Sequence, residues 1–330
     1  MNNLLDKISV QDQLKIQRLS KKGFSFLTSL VRFLILISVG FVIIYPLFYM
    51  ITNSLVSRDA YFNSTRIWIP TDFAIKHNYT LAMDCLSFGP GLLSTLTHEI
   101  VSALIQVCTC AIAAYGFARF EFKGKGILMG MLFMTILVPD MMVMLPRMVN
   151  YSHLDVFGIL KLVEKITGAT IRPNILNTVW SFWLPSLFGI GLRSGILIFI
   201  YIQFFKGLPR ELEEAAWVDG AGPLRTFLAI AIPSSGVVIL TVTVFSLIWH
   251  WNDTLLARLF LSDNHTLATN LDMYQDMLFA RFGILPSDRD PEAAAYMMSA
   301  CVLFVTPMLI FYMIVQRWFI ESIDRVGITG

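Results

Sequence analysis

The chain has 330 residues, 56% of them hydrophobic and 15% charged, with a mean hydropathy of +0.66. Soluble domains carry roughly 45–50% apolar and about 25% charged residues, so this composition excludes an ordinary soluble protein and describes one that lives in lipid. A net charge of +2, with no basic face standing apart from the apolar runs, excludes nucleic acid as a partner.

Crossing about 30 Å of hydrocarbon takes about 20 apolar helical residues, because lipid offers no partner to an unpaired peptide group. Residues 1–30 are polar or mixed, and the first predicted transmembrane helix follows at Val31–Ile51. No small-residue cleavage site follows it, so it is expected to be retained rather than removed as a signal peptide. Residues 52–91 form an outer loop containing two glycosylation triplets, Asn63-Ser-Thr and Asn78-Tyr-Thr, which matter only in a secretory pathway. Five more spans are predicted at Leu92–Ala118, Ile127–Leu145, Leu176–Phe205, Val237–Ala257 and Tyr296–Val315, within a transmembrane domain over 92–317. Residues 318–330 are left as a tail. The loops Pro146–Ile175 and Leu259–Ala295 are too short to bury a core of their own.

The fourth and fifth spans carry the features hardest to reconcile with plain lipid-facing helices. GIGLRSG, Gly189–Gly195, is expected to break the fourth span above a shorter helix over Ser194–Phe205. Arg193 in that break would sit about two-thirds of the way across a straight helix, counted from Lys206. A lipid-facing charge at mid-depth costs at least about 2.5 kcal/mol, which leaves two roles open: lining the translocation path, or snorkelling to the outer interface. Trp251, Asn252 and Asp253, near the outer end of the fifth span, are likewise open to a path role or an aromatic belt.

Positive residues near span ends stay in the cytoplasm. Lys7, Lys15, Arg18, Lys21, Lys22 and Arg32 precede or open the first span, and Arg119, Lys123 and Lys125 crowd the short turn between the second and third. The six-span reading therefore places both termini, that turn and the loop 206–236 inside, in a multi-pass protein of the cytoplasmic membrane.

That loop has its own structure. Pro209 suits a first helical position, Glu211, Glu213 and Glu214 favour the positive end of a helix dipole, and Asp219-Gly220 supplies the stop. Pro223 opens a second helix, with Leu224, Phe227, Leu228 and Ala231 at helical spacing until Pro233. Small residues at Ala215 and Ala216 let the first helix sit deep in a partner's groove. A helix resting on the membrane surface is the other reading of the same pattern, although such helices usually carry a basic polar face.

Enzymatic chemistry is not expected. No GxxxxGK[ST] phosphate loop is present, HEIVS at His98–Ser102 lacks the second histidine of a zinc-protease helix, and there is no serine elbow or paired-carboxylate cleft. Cys108, Cys110 and Cys301 fall in apolar runs and Cys85 has no evident partner, so neither a metal nor a disulfide is expected, and no cofactor.

ELEEAAWVDGAGPLRTFLAIAIP, Glu211–Pro233, resembles the "EAA" loop of ABC-importer permeases, with Glu214, Ala215, Ala216, Asp219, Gly220, Ala221, Phe227, Ile230 and Pro233 matching its pattern. AIAAYGFARFEFKGKG (Ala111–Gly126), LVPDMMVMLPRM (Leu137–Met148), LIWHWNDTLL (Leu247–Leu256) and the ending QRWFIESIDRVGITG extend the resemblance to carbohydrate-type permeases of the MalG kind. Gly222 and the longer stretch Leu160–Pro173 depart from the family pattern. The resemblance implies an all-α, six-helix type I importer permease fold with a cytoplasmic coupling helix around Glu214–Asp219, with Gly220 and Ala221 belonging to the turn that follows it. It also implies a second, homologous permease subunit, two cytoplasmic ATPase subunits that hydrolyse ATP, and an external substrate-binding protein delivering a sugar or oligosaccharide.

A secondary transporter or channel needs no ATPase, and a secondary transporter usually shows repeated halves and intramembrane ionisable groups, few of which the sequence reveals. Neither explains the acidic-alanine loop. The inside placement of that loop is checked by introducing a cysteine at residue 222 into a cysteine-free chain: an impermeant thiol reagent is expected to spare it in intact cells and label it in inverted vesicles. Labelling from outside would overturn the topology.

Overall fold

The computed structural model describes residues 10–57, 72–155, 158–285 and 291–327. Lys7, the Asn63 triplet and the last three residues of the tail lie outside them. Among the described residues there is no strand, only one isolated bridge between Val56 and Phe73.

Helix α1 runs over Val10–Ser54 and contains the predicted first span. Its apolar part is exposed all round: none of the most apolar window within Phe24–Ser54 is buried by the rest of the chain. Such a surface is stable only against lipid or another subunit. A short helix α2, Ile75–Cys85, leads to α3, Phe88–Arg119, a 32-residue rod that includes a π-helical segment at Thr95–Ile100. Asn78 on α2 is 2% exposed and donates its amide to the Ser54 and Val56 carbonyls, both at 2.9 Å. That triplet's acceptor nitrogen is thus committed to tying α2 to the end of α1.

The third predicted span is not one helix. α4, Lys125–Leu137, ends where Val138 and Pro139 turn extended, and α5, Asp140–Ser152, leaves at 103°. Proline at 139 pushes its predecessor out of the helical region, and Asp140 in the first turn restarts the helix. A small helix α6 occupies Ile159–Thr167 in the long stretch after it, where Arg172 reaches back to Glu164 at 2.6 Å. Bonds from the Arg172 backbone and side chain hold the Glu164 carboxyl below its ordinary range.

The fourth predicted span divides as its glycines suggest, into α7, Trp180–Leu187, and α8, Ser194–Gly207. Two helices follow in the loop, α9 over Glu211–Val218 and α10 over Pro223–Ser234, the second turning through 82° at Ser235 into α11, Gly236–Trp251. The fifth span therefore ends at Trp251, short of the predicted Ala257. Asp253 starts a separate helix α12, Leu255–Phe260, its Oδ1 accepting the Leu256 N–H at 3.1 Å. Helices α13, Leu267–Asp272, and α14, Tyr274–Phe282, lead to α15, Pro291–Gly327, which carries the last predicted span and stays helical into the predicted tail.

Among the described residues three helices are long and apolar enough to cross a membrane, in α1, α3 and α15, and the pairs α4–α5 and α10–α11 qualify only as bent pairs. Ser194–Gly207 is apolar but short. The breaks lie where proline, glycine or an Asx turn interrupts an apolar run.

α3 is central, packing on α7, α8 and α11, while α1 and α2 pack on α15. Its buried face carries small residues at Ala103, Ala111, Ala114 and Ala118, which let α8 approach closely. One core gathers Tyr115, Tyr201, Phe205 and Phe227 where α3, α8 and α10 converge. A second surrounds Trp251, Tyr274 and Phe304, and a third Tyr151, Phe182 and Phe260.

The tightest approach is at Gly195 in the first turn of α8: a Cβ there would collide with Thr135 Oγ1 and lie 3.0 Å from Ile136 Cγ1 on α4. Gly195→Val is expected to cost about 1–3 kcal/mol, as overpacking of a close-packed contact does. A lowered Tm of the purified protein in detergent checks it, and an unchanged Tm would mean that α4 yields freely.

Candidate functional site

α9 is a complete small helix with defined ends. Glu211, Glu213 and Glu214 occupy its first turn. At the other end Gly220 has φ +78°, and the N–H groups of Gly220 and Ala221 bond back to Trp217 O at 3.0 Å and Ala216 O at 2.9 Å. This paired closure satisfies the last carbonyls and requires a left-handed residue, which glycine supplies without strain. Glu214, Ala215, Asp219 and Gly220 are exposed, whereas Ala216 and Ala221 are half-buried. Leu212, Trp217 and Val218 are also exposed, Val218 at 88%, and Leu224 of α10 continues the apolar surface at 70%.

One residue of α9 turns inward. Glu213 pairs with Arg119 at 2.9 Å, each side chain 4% exposed, and Arg119 Nη2 donates to Leu208 O at 2.8 Å. The last residue of α3 thus grips both α9 and the chain entering it. Rings complete the joint: Tyr115 lies 5.5 Å from Phe205 and 4.9 Å from Phe227. Sequence reasoning missed this pair, since three glutamates in one turn look alike, although the lone Arg119 closing an apolar run was a visible signal.

The four residues considered for a path do not form one cluster. Arg193 is exposed and stands at the start of α8 with φ +53°, its guanidinium 5.1 Å from the ring centre of Trp249. Trp251 is 3% exposed and packs on Phe304 with ring centres 5.6 Å apart, a place inside the protein rather than in an aromatic belt. Asn252 is exposed and donates to Ile248 O at 2.8 Å within its own helix end. Asp253 is 7% exposed and caps α12.

A buried polar chain lies between Arg193 and Trp251. Glu99 Oε2 is 2.8 Å from His250 Nδ1, and His250 Nε2 is 2.9 Å from Gln106 Oε1. The Gln106 amide nitrogen donates to Leu192 O at 2.7 Å and Ser194 Oγ at 2.6 Å. Glu99 and Gln106 are 0% exposed and His250 is 2% exposed. Among the few ionisable groups within the predicted spans is this buried pair, which the sequence reading did not single out. The signals were an acid inside the apolar run of α3 and a histidine between two tryptophans. Beside His250 lies a small, partly open pocket lined by Arg147, Tyr151, Ser186 and Leu192 among others. Among the described residues no group of His, Cys, Asp and Glu could hold a metal ion.

Residues 106–325 match the sequence family described as "Binding-protein-dependent transport system inner membrane component". The chain is 24% identical over 304 residues to the probable ABC transporter permease protein YurM of Bacillus subtilis, covering 90% of this chain and 86% of that protein. It is 25% identical over 294 residues to the melibiose/raffinose/stachyose import permease protein MelC of the same organism, covering 86% and 91% of the two. Its fold matches a chain in the crystal structure of a bacterial ABC transporter involved in the import of the acidic polysaccharide alginate, with TM-score 0.62 and 17% identity over 91% of this chain and 98% of that one. These relatives are transport permeases, not enzymes.

The Arg119–Glu213 joint sets an expectation for stability. Glu213→Ala leaves a buried guanidinium without its counter-charge and is expected to cost about 3–5 kcal/mol, while Arg119→Met with Glu213→Leu removes both charges and costs far less. Chemical denaturation of the two purified variants distinguishes them, and equal losses would show that the pair matters only for its volume.

Proposed function

The chain belongs to the family of binding-protein-dependent transport inner-membrane components, and on that premise we propose that it is one permease subunit of an ATP-driven importer of a sugar or oligosaccharide. It forms half of the path with a second, homologous permease, receives solute from an external binding protein, and draws on two cytoplasmic ATPase subunits for energy. The sugar class rests on relatives such as MelC. Six crossings with both termini inside are part of the reading. The sixth is completed by α7 and α8 together, whose 8 and 14 residues reach about 12 and 21 Å as helices.

The observation that carries the proposal is the construction of α9. Glu214, Ala215, Asp219 and Gly220 stand free, flanked by exposed Trp217 and Val218, while Glu213 fastens the same helix to the end of α3. An exposed apolar helix of this kind calls for a protein groove, and its rigid attachment provides a way to pass motion of the ATPase to the spans. Ala215, Ala216 and Ala221 keep the docking face low, and Glu214 and Asp219 fix its register. Arg193, Trp251, Asn252 and Asp253 are proposed to shape the path from its outer part, Arg193 by direct exposure and buried Trp251 and Asp253 by holding the outer end of α11.

Gly220→Val forces a β-branched residue into the left-handed region at a cost of about 1–2 kcal/mol and tilts α9. Ala216→Glu lifts the helix from its groove. Both variants are expected to insert normally, yet to lose cysteine cross-linking between residue 215 and the co-purifying ATPase and to lose stimulation of ATP hydrolysis in reconstituted complexes. Cross-linking and hydrolysis equal to the parent in both would remove the coupling role from α9.

A further inference from the structure

Hydrogen-bond arithmetic fixes the protons in the buried chain. The carbonyl of Leu192 can only accept, so the Gln106 atom 2.7 Å from it is the amide nitrogen, and the second N–H of that nitrogen goes to Ser194 Oγ. Gln106 Oε1 therefore faces His250 Nε2 at 2.9 Å, while also accepting from Ser246 Oγ at 3.1 Å. An amide oxygen cannot donate, so Nε2 of His250 carries a proton. Its other nitrogen, Nδ1, faces Glu99 Oε2 at 2.8 Å. Two bare lone pairs at that distance would repel, so one proton lies between them, and the pair is neutral as a whole.

The remaining question is which atom holds that proton. Glu99 is 0% exposed, and its second oxygen, Oε1, has no hydrogen-bond partner. A carbonyl oxygen tolerates such a place far better than half of a carboxylate, because the cost of burying an unpaired charge exceeds that of burying a neutral acceptor. Asp253, the other acid near the pair, bonds the Leu256 N–H and neither member of the pair. Arg147 and Tyr151 line the pocket beside His250, and His98 turns to Ser94 and Phe182; none of these side chains bonds the pair.

We infer that Glu99 is held as a neutral acid donating through Oε2 to a neutral His250, and that this proton-sharing pair acts through Gln106 as the device that positions Arg193. Gln106 holds the Leu192 carbonyl and the Ser194 hydroxyl, the groups on either side of Arg193. A residue with a side chain at φ +53° is strained and keeps that conformation only where its neighbours impose it. Trp249, next to His250, then receives the guanidinium over its ring. No proton enters or leaves: the shared one stays between Oε2 and Nδ1. The inference rests on the reading of Arg193 as path-facing only for its use, not for its geometry.

The test uses the full chain in its assembled complex in lipid vesicles, so that it reads neither solute uptake nor ATP hydrolysis. The infrared spectrum of the parent is expected to contain the carbonyl band of an un-ionised carboxyl that Glu99→Gln lacks; identical spectra in that region would overturn the neutral acid. Where Glu99→Gln fails to assemble, nitrogen-15 NMR of the parent decides. A buried histidine with one protonated and one bare nitrogen supports the pair, and two protonated nitrogens refute it. Positioning is read in a chain whose native cysteines are replaced by serine and whose Arg193 is cysteine, labelled with a small cationic methanethiosulfonate. Glu99→Ala is expected to change the labelling rate by about tenfold, the factor of one lost buried hydrogen bond, and Gln106→Ala, which releases both Leu192 O and Ser194 Oγ, by at least about as much. Glu99→Gln, whose amide N–H replaces the acid O–H, is expected to restore it to within about twofold, the effect of a few tenths of a kcal/mol. An unchanged rate in Gln106→Ala would show that the amide does not position residue 193. Failure of the importer reading would appear only in uptake and ATPase assays, leaving these readouts as they are.

Discussion

The structure depends on one helix satisfying the polar groups that the broken spans leave open. In hydrocarbon an unpaired peptide group costs several kcal/mol, so a span can be interrupted only where another element supplies the missing partner. α3 does this along its whole length. Thr95 accepts from the Leu267 N–H at 2.8 Å, the Thr97 carbonyl accepts from Trp183, and Gln106 takes Leu192 O. Thr109 donates to Ser186 O at 2.7 Å where α7 ends, and Arg119 donates to Leu208 O where α8 ends. Both ends of the break between α7 and α8, and the exit from α8, are thus closed by side chains of one rod.

This arrangement explains why α3 carries so much polarity for an apolar helix. Glu99, Ser102 and Gln106 are fully buried, and each would be prohibitive facing lipid. They lie instead on the face that meets α7, α8 and α11. The π-helical segment at Thr95–Ile100 adds to the effect, since a wider turn re-aims the side chains that follow it. Its residues Thr95, Thr97 and Glu99 each serve a different neighbour.

What could be read from the sequence was local. The stop at Gly220, the proline start at Pro223 and the break around Gly189–Gly195 follow from turn chemistry within a few residues, and the structure has each of them. The bend at Val138 was local too, yet hidden by the apolar run continuing past Pro139 in MMVML, which let hydropathy override the proline. The missed features are tertiary. Glu99 and His250 each stand out in an apolar run, but they are 151 residues apart and nothing local says that they meet. Glu213 differs from Glu211 and Glu214 only in which side of α9 faces Arg119, and that is set by how α9 sits on α3. Trp251 was read by type, as an interfacial or path aromatic, while its surroundings make it core.

The two polar attachments of α3 also bear on how force would travel. Arg119 lies at its last residue and Gln106 is 13 residues earlier, about 20 Å along the same helix axis. A helix without an interior proline or kink between those points resists bending, and the stretch over Val101–Arg119 is regular. Displacement of α9 through Glu213 would therefore reach the break at Leu192–Ser194 as movement of a rod, with no hinge between to absorb it. The bends lie elsewhere, at Val138–Pro139 and Ser235, within the pairs α4–α5 and α10–α11. Under the proposed docking, α3 with α8 and α9 moves as one piece, and the bent pairs α4–α5 and α10–α11 accommodate it.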